Sequence, residues 1–218
     1  MSNVVTVFYD CVSPWSYVAF TVLKRYRSAW GIKINLCPMS LSYIMKYANN
    51  RPPVTVPNKG KLLMSELRRA DRMHGVHLMP PETFPFETFL AQQFLTVLKD
   101  KFPEDLEMVT ERFFEHIWGK GKPLATAEEV VSVASTVLPQ EKLAQLAGFH
   151  EKDVRKRLAM LGQSLAEDHG VFGSPWLVAE RWDGESIVLF GSDRFEHLAA
   201  FFHKPYLGPF ANGVTPKL

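Results

Sequence analysis

The chain opens on a short run of apolar, β-branched and aromatic residues, Val4 to Tyr9, that reads as a buried strand. Asp10, Cys11 and Val12 make a tight connection, after which the period changes. Tyr17, Phe20, Val22, Leu23, Tyr26 and Trp30 recur at helical spacing. Ser13 is a good N-cap for that helix, and Pro14 suits the first helical position, where a missing N–H costs nothing. Gly31 is the expected C-terminal punctuation, and Ile32 to Leu36 alternates as a second strand. Residues 4–36 are thus a β–α–β unit. A short helix over Leu41 to Tyr47 follows, broken by Asn49, Asn50, Arg51, Pro52 and Pro53.

From about Lys59 to Gly170 no stretch alternates as a strand. Leu62, Leu63, Leu67 and Ala70 mark one helix face. Met79-Pro80-Pro81 and Phe84-Pro85-Phe86 form an irregular link. Helices are predicted over Phe89–Leu98 and Leu106–Trp118, the second with Phe113, Phe114 and Trp118 on its apolar stripe. Thr126 and Glu129 have the spacing of a capping box, ahead of an apolar face of Val130, Val133, Ala134 and Val137. A short helix over Leu143–Ala147 and a long one over Val154–His169 complete the block. Strands return at Trp176–Ala179 and Ile187–Phe190, with Asp183-Gly184 as a hairpin turn between them. Gly191-Ser192-Asp193-Arg194 opens a last helix, Arg194 to Phe202. The order is β–α–β, helices, then β–β–α. The economical fold class is α/β: a thioredoxin-like fold with a mid-chain all-helical insertion. The thioredoxin-like domain takes residues 1–58 plus 170–218, and the insertion takes 59–169.

Composition narrows the partners. The 218 residues are 46% hydrophobic and 22% charged, with a formal charge of +2. That charge is too small to argue for nucleic acid or an anionic membrane. Lys59, Lys61, Arg68, Arg69 and Arg72 read as a solvated helix face. Two cysteines, Cys11 and Cys37, suggest no disulfide framework and fit a reducing compartment. No signal-peptide pattern or long apolar run is present, so the expectation is a soluble, intracellular protein. Pro216-Lys217-Leu218 resembles the small-basic-leucine peroxisomal address, with a weak first letter; cytosol or mitochondrion is the alternative. The seven histidines show no metal spacing, and His74 and His77 straddle Gly75, so no metal is expected.

Four places carry candidate chemistry. A thioredoxin-like first helix ordinarily starts with C-x-x-C; here the same place reads Ser13-Pro14-Trp15-Ser16. Dithiol exchange is excluded there. What survives is a helix N-terminus with outward N–H groups and one hydroxyl donor, which suits a thiolate brought by a ligand. Gly173-Ser174-Pro175-Trp176 precedes the third strand, and Pro175 is expected to be cis, leaving the Ser174 N–H and C=O for an extended peptide. Ser192 offers a cap or an anion donor, and Asp193 an acceptor for an ammonium group. Asn50 and Lys59 flank the Pro-rich loop, where Lys59 suits a carboxylate. Taken singly, the Ser13, Ser192, Asp193 and Lys59 features read as ordinary caps and surface charges. Together they match a short peptide with a thiol, an amino-acid end and a free carboxylate, which describes glutathione.

Over nearly its whole length the chain resembles the kappa-class glutathione transferases. The motifs are Phe8-Tyr9-Asp10 before Ser13-Pro14-x-Ser16, Asn50-x-Pro52-Pro53, Pro57-x-Lys59-Gly60, Phe172-Gly173-x-Pro175 and Phe190-Gly191-Ser192-Asp193-Arg194. The resemblance implies a homodimer, with glutathione as co-substrate and a small electrophile as second substrate. It implies Ser13 as the catalytic residue, and Ser13, Pro14, Asn50, Lys59, Ser174, Pro175, Ser192 and Asp193 as glutathione-binding residues. Conjugation, with peroxide reduction as a companion activity, is the implied chemistry. Two departures stand out: Trp15 and Tyr17 exchange the family's usual aromatics, and Ser174 replaces an apolar residue before the proline. The related 2-hydroxychromene-2-carboxylate isomerases give an alternative enzyme. A glutathione-binding or chaperone-like protein without turnover is the alternative outside enzymes. Phe84, Phe86, Phe89 and Trp118 are candidates for lining the electrophile pocket or for the core. Cys11 is either near the ligand sulfur or a small buried hydrophobe.

Overall fold

The computed structural model describes residues 2–211, so Pro216-Lys217-Leu218 lies outside the described residues. Strand β1 (Asn3–Tyr9) buries Val5, Val7 and Tyr9 on one face, as a two-residue period demands. It is a central strand. On one side it pairs in parallel with β2 (Ile32–Pro38), and on the other antiparallel with β3 (Trp176–Glu180). β4 (Ser186–Phe190) completes a four-stranded sheet in the order β2-β1-β3-β4. The parallel pair needs a crossover, and α1 (Pro14–Trp30) supplies it. The antiparallel pair β3–β4 closes tightly at Asp183-Gly184, where Gly184 takes a φ of +93°. This is the expected thioredoxin-like arrangement.

Both sheet faces are covered. Val5, Val7 and Tyr9 share one core with α1, with α9 (Phe195–Phe201), and with Phe94, Phe113, Phe114 and Phe149 of the helical block. Phe8, Trp176 and Val178 on the other face pack with Met39, Ile44, Leu165 and Val171. That cluster is roofed by α2 (Leu41–Tyr47) and α8 (Lys152–His169). Gly162 allows the two helices to approach, since a Cβ there would lie 2.7 Å from Tyr43 Cβ.

Between β2 and β3, among the described residues, there are helices and no strand. In order these are α2, α3 (Pro57–His74), α4 (Phe89–Lys101), α5 (Leu106–Phe114), α6 (Ala127–Ala134), α7 (Gln140–Gln145) and α8. The Thr126–Glu129 capping box forms as predicted. Some boundaries move for local reasons. α3 starts at Pro57, because proline suits a first turn. α5 does not run to Trp118; it passes into a π-helical turn over Glu115–Gly119. The last helix starts at Phe195, with Arg194 as N-cap and no capping side chain, so Ser192 is not its cap. The helical block is sewn to the sheet: inside the core, Tyr9 Oη and Thr110 Oγ1 are hydrogen-bonded at 2.6 Å.

Candidate functional site

One buried carboxylate holds the turn between β1 and α1. Asp10 Oδ1 accepts from the Val12 N–H at 3.0 Å, the Thr88 hydroxyl at 2.6 Å and Gln92 Nε2 at 3.2 Å. Its Oδ2 accepts from the Leu41 N–H at 2.7 Å. Burial pushes the Asp10 carboxyl above its ordinary range, and the Leu41, Thr88 and Val12 donors offset part of that rise. Trp118 Nε1 donates to the Cys11 carbonyl at 3.0 Å. The start of α1 is therefore fixed by α2, by α4 and by the turn after α5. Sequence spacing placed Asp10 in a motif and carried no sign of Thr88 or Gln92, which approach only through the fold.

Three buried serines meet beyond that turn. The Ser13 hydroxyl donates to the Ser174 carbonyl at 3.0 Å, and its oxygen accepts from the Ser16 N–H at 3.3 Å. Ser174 Oγ accepts from the Asp10 N–H at 3.1 Å and is hydrogen-bonded to Ser16 Oγ at 2.8 Å. The Ser174–Pro175 peptide is cis, as expected. Two expectations need correction. The Ser174 carbonyl is not free, because Ser13 occupies one of its lone pairs; its N–H has no partner among the described residues. Nor are several N–H groups open at the start of α1. Ser16 and Tyr17 both bond back to Ser13, and Pro14 has no N–H, which leaves that of Trp15.

The serines lie on the wall of a cleft of about 1130 Å³. The cleft brings together Ser13, Pro14, Asn50, Lys59, Ser174, Ser192 and Asp193. Pro175 is buried and is not on its lining. Asn50 Nδ2 donates to the Phe172 carbonyl at 2.8 Å, tying the loop after α2 to the segment before β3. Lys59, in the first turn of α3, is exposed and has no ion-pair partner among the described residues. Asp193 is exposed, and one of its carboxylate oxygens is already paired with the Arg194 guanidinium.

The aromatic candidates divide. Phe84 and Phe86 line the cleft, together with Trp15 and Met73. Phe89 instead packs on Tyr43, with ring centres 5.1 Å apart, and Trp118 is fully buried. Helical spacing did not distinguish them, because an apolar stripe faces whatever covers it. Cys11 is fully buried, which pushes its thiol well up, and it stays off the cleft lining. His74 does line the cleft; burial and the neighbouring Arg25 hold its imidazole below the usual range. No cluster of three or more His, Cys, Asp or Glu side chains suited to a metal occurs among the described residues.

A family model described as a DSBA-like thioredoxin domain matches residues 4–203. Glutathione S-transferase kappa 1 of Rattus norvegicus is 34% identical, covering 99% of this chain and 98% of that protein. The chain belongs to the kappa-class glutathione transferases. The Homo sapiens kappa 1 protein is 29% identical over 100% of this chain and 99% of its own. A solved structure of 2-hydroxychromene-2-carboxylate isomerase superposes with a TM-score of 0.73 at 17% identity, covering 92% of this chain and 94% of that chain. At that identity the likeness concerns the fold. In this kappa-class chain the first helix of a DSBA-like frame carries hydroxyls, Ser13 and Ser16, and no cysteine lines the cleft among the described residues.

Proposed function

We propose that this transferase binds glutathione along the cleft, with its sulfur at Ser13, and directs the thiolate onto a small electrophile. The observation that carries this reading is the Ser13 hydroxyl, held at the start of α1 beside the open Trp15 N–H. A free thiol with a pKa of about 8.5 is only a few per cent thiolate at neutral pH. An anionic sulfur is a stronger acceptor than a neutral carbonyl, so it takes the Ser13 O–H from Ser174. The Trp15 N–H and the dipole of α1 add to the same preference. Ser13 acts as a donor and keeps its proton. The thiolate then forms a bond to the electrophilic carbon while the leaving group departs, or to a peroxide oxygen while the O–O bond breaks.

The remaining contacts follow from charge. The ligand backbone pairs with the Ser174 N–H and the free lone pair of its carbonyl. Lys59, which lines the same cleft as Asn50, takes the glycine carboxylate. Ser192 takes the other carboxylate, and the Asp193 carboxylate accepts from the ammonium group while it stays paired with Arg194. Trp15, Phe84, Phe86 and Met73 are assigned to the electrophile. The chain acts as a homodimer, tested by light scattering at micromolar concentration, where a monomer mass refutes it. The compartment is read from Pro216-Lys217-Leu218 alone: a fluorescent fusion of the last dozen or so residues that enters peroxisomes supports a peroxisomal address, and a diffuse signal returns the protein to the cytosol or mitochondrion.

The deciding assay compares conjugation of 1-chloro-2,4-dinitrobenzene with isomerisation of 2-hydroxychromene-2-carboxylate, both with glutathione. Conjugation supports the transferase reading, and isomerisation alone replaces it with the isomerase. Glutathione binding with neither activity leaves a non-catalytic binding protein.

A further inference from the structure

We propose that Cys37 and Lys99 form a peroxide-driven covalent crosslink between the sheet and the helical block. Lys99 Nζ donates to Cys37 Sγ at 2.8 Å. Cys37 lies near the end of β2, and Lys99 in the last turn of α4. The residues are 62 positions apart, and both stand on regular elements, so packing holds them together rather than a loop. Both are half-buried, within reach of a small oxidant. Other half-buried lysines pair with carboxylates, as Lys24 does with Glu111 and Lys142 with Glu104. Lys99 has no carboxylate partner among the described residues; its polar contact is the sulfur. The other thiol, Cys11, is fully buried and out of reach.

The chemistry balances with hydrogen peroxide as oxidant. In the first step an S–O bond forms on Cys37, the O–O bond breaks and one water leaves, giving the sulfenic acid. Lys99 releases one proton to solvent and becomes an amine. A second peroxide then accepts two electrons as the sulfenic oxygen bonds to the amine nitrogen. The sulfenic O–H and one N–H hydrogen leave with the peroxide oxygens as two waters. In sum, a thiol, an ammonium and two peroxides give an S–O–N link, three waters and one proton. A single bridging oxygen in a bent link leaves sulfur and nitrogen about as far apart as they already stand, so neither element has to move.

The link ties β2 to α4, the helix that carries Gln92 and is preceded by Thr88, both ligands of Asp10. Oxidation therefore stiffens the frame behind the Ser13 turn, and a thiol reductant releases it. This inference is independent of the glutathione reading.

The test is mass spectrometry of the whole protein after hydrogen peroxide treatment and digestion. The expected species joins the Cys37 and Lys99 peptides at about 14 Da above their summed reduced masses, and dithiothreitol separates them. The treated protein melts at a higher temperature, and Cys37→Ser and Lys99→Arg each abolish both changes. Recovery of Cys37 as sulfinic or sulfonic acid with Lys99 unmodified overturns the proposal. So does Cys37 in a mixed or intermolecular disulfide, or the same melting shift in Lys99→Arg. Should a variant fail to fold, the peptide masses from the unmutated protein still decide.

Discussion

The Ser13 hydroxyl and the Ser174 carbonyl are joined by a hydrogen bond of 3.0 Å across 161 residues of sequence. The residue before the cis-proline thus sets the resting direction of the hydroxyl at the start of α1. In the proposed mechanism a bound sulfur displaces that carbonyl. Ser13→Ala removes the donor and leaves the cleft walls in place. It is expected to keep glutathione affinity within several-fold. The bound-thiol pKa should rise by about two units, roughly 2.7 kcal/mol against the anion, with turnover falling accordingly. Ultraviolet titration of bound thiolate reads this directly; equal pKa and equal rate in both proteins would reduce Ser13 to a helix cap.

Lys59→Ala and Asp193→Ala are expected to weaken glutathione binding more than they slow chemistry, because both lie at the ligand's charged ends. The two effects should differ in size. Lys59 has no competing carboxylate among the described residues, whereas Asp193 already carries Arg194. Lys59→Ala should raise the dissociation constant by about ten-fold or more, and Asp193→Ala by less. Titration calorimetry at low and moderate salt checks both, and an unchanged affinity for Lys59→Ala removes it from the site.

Asp10→Asn should destabilise the fold, since an amide presents its own donors to a ring of four. The expected loss is about 1–3 kcal/mol near neutral pH. The pH dependence has a definite sign. Burial raises the folded-state pKa, so the unfolded chain releases this proton first. The contribution of the protonated group is present below an unfolded value of about 3.9 and is lost as pH rises through the higher folded value. The stability gap between the wild-type protein and Asp10→Asn should therefore narrow across that window. Denaturant melts at several pH values measure it, and a gap that widens with pH would contradict the assigned direction.

Gly162→Ala reverses the usual helix preference. On an open helix the change gains about 1 kcal/mol. Here the new Cβ meets Tyr43 Cβ at 2.7 Å, an atom fixed to the backbone of α2. A net loss of about 1–3 kcal/mol is expected from the forced separation of α2 and α8. Thermal melting of the variant tests it; a stabilised protein would mean that the two helices shift apart freely.

Much of this fold was legible in one dimension because its signals are local. Ser13 and Pro14 start α1, Gly31 ends it, Thr126 and Glu129 build a capping box, and Asp183-Gly184 turns a hairpin. Each depends on residues within a turn of one another, so composition and spacing suffice. The order of strands and helices then pointed to the thioredoxin-like frame, and the missing C-x-x-C to a sulfur brought by a ligand.

The tertiary structure decided what those residues face. Pairing of β1 with β3 brings Ser174 against Ser13, and the packing of α4 brings Thr88 and Gln92 onto Asp10. The pairing of Asp193 with Arg194 is local, yet side-chain direction settles it, and the same holds for the single open N–H at Trp15. Phe84 faces the cleft while Trp118 faces the core, although both are aromatic and both belong to the helical block. A hydrogen bond or a buried contact between distant residues is fixed only when the chain closes its core. Spacing along the sequence determines which side of an element a residue occupies, and the three-dimensional packing determines its neighbours.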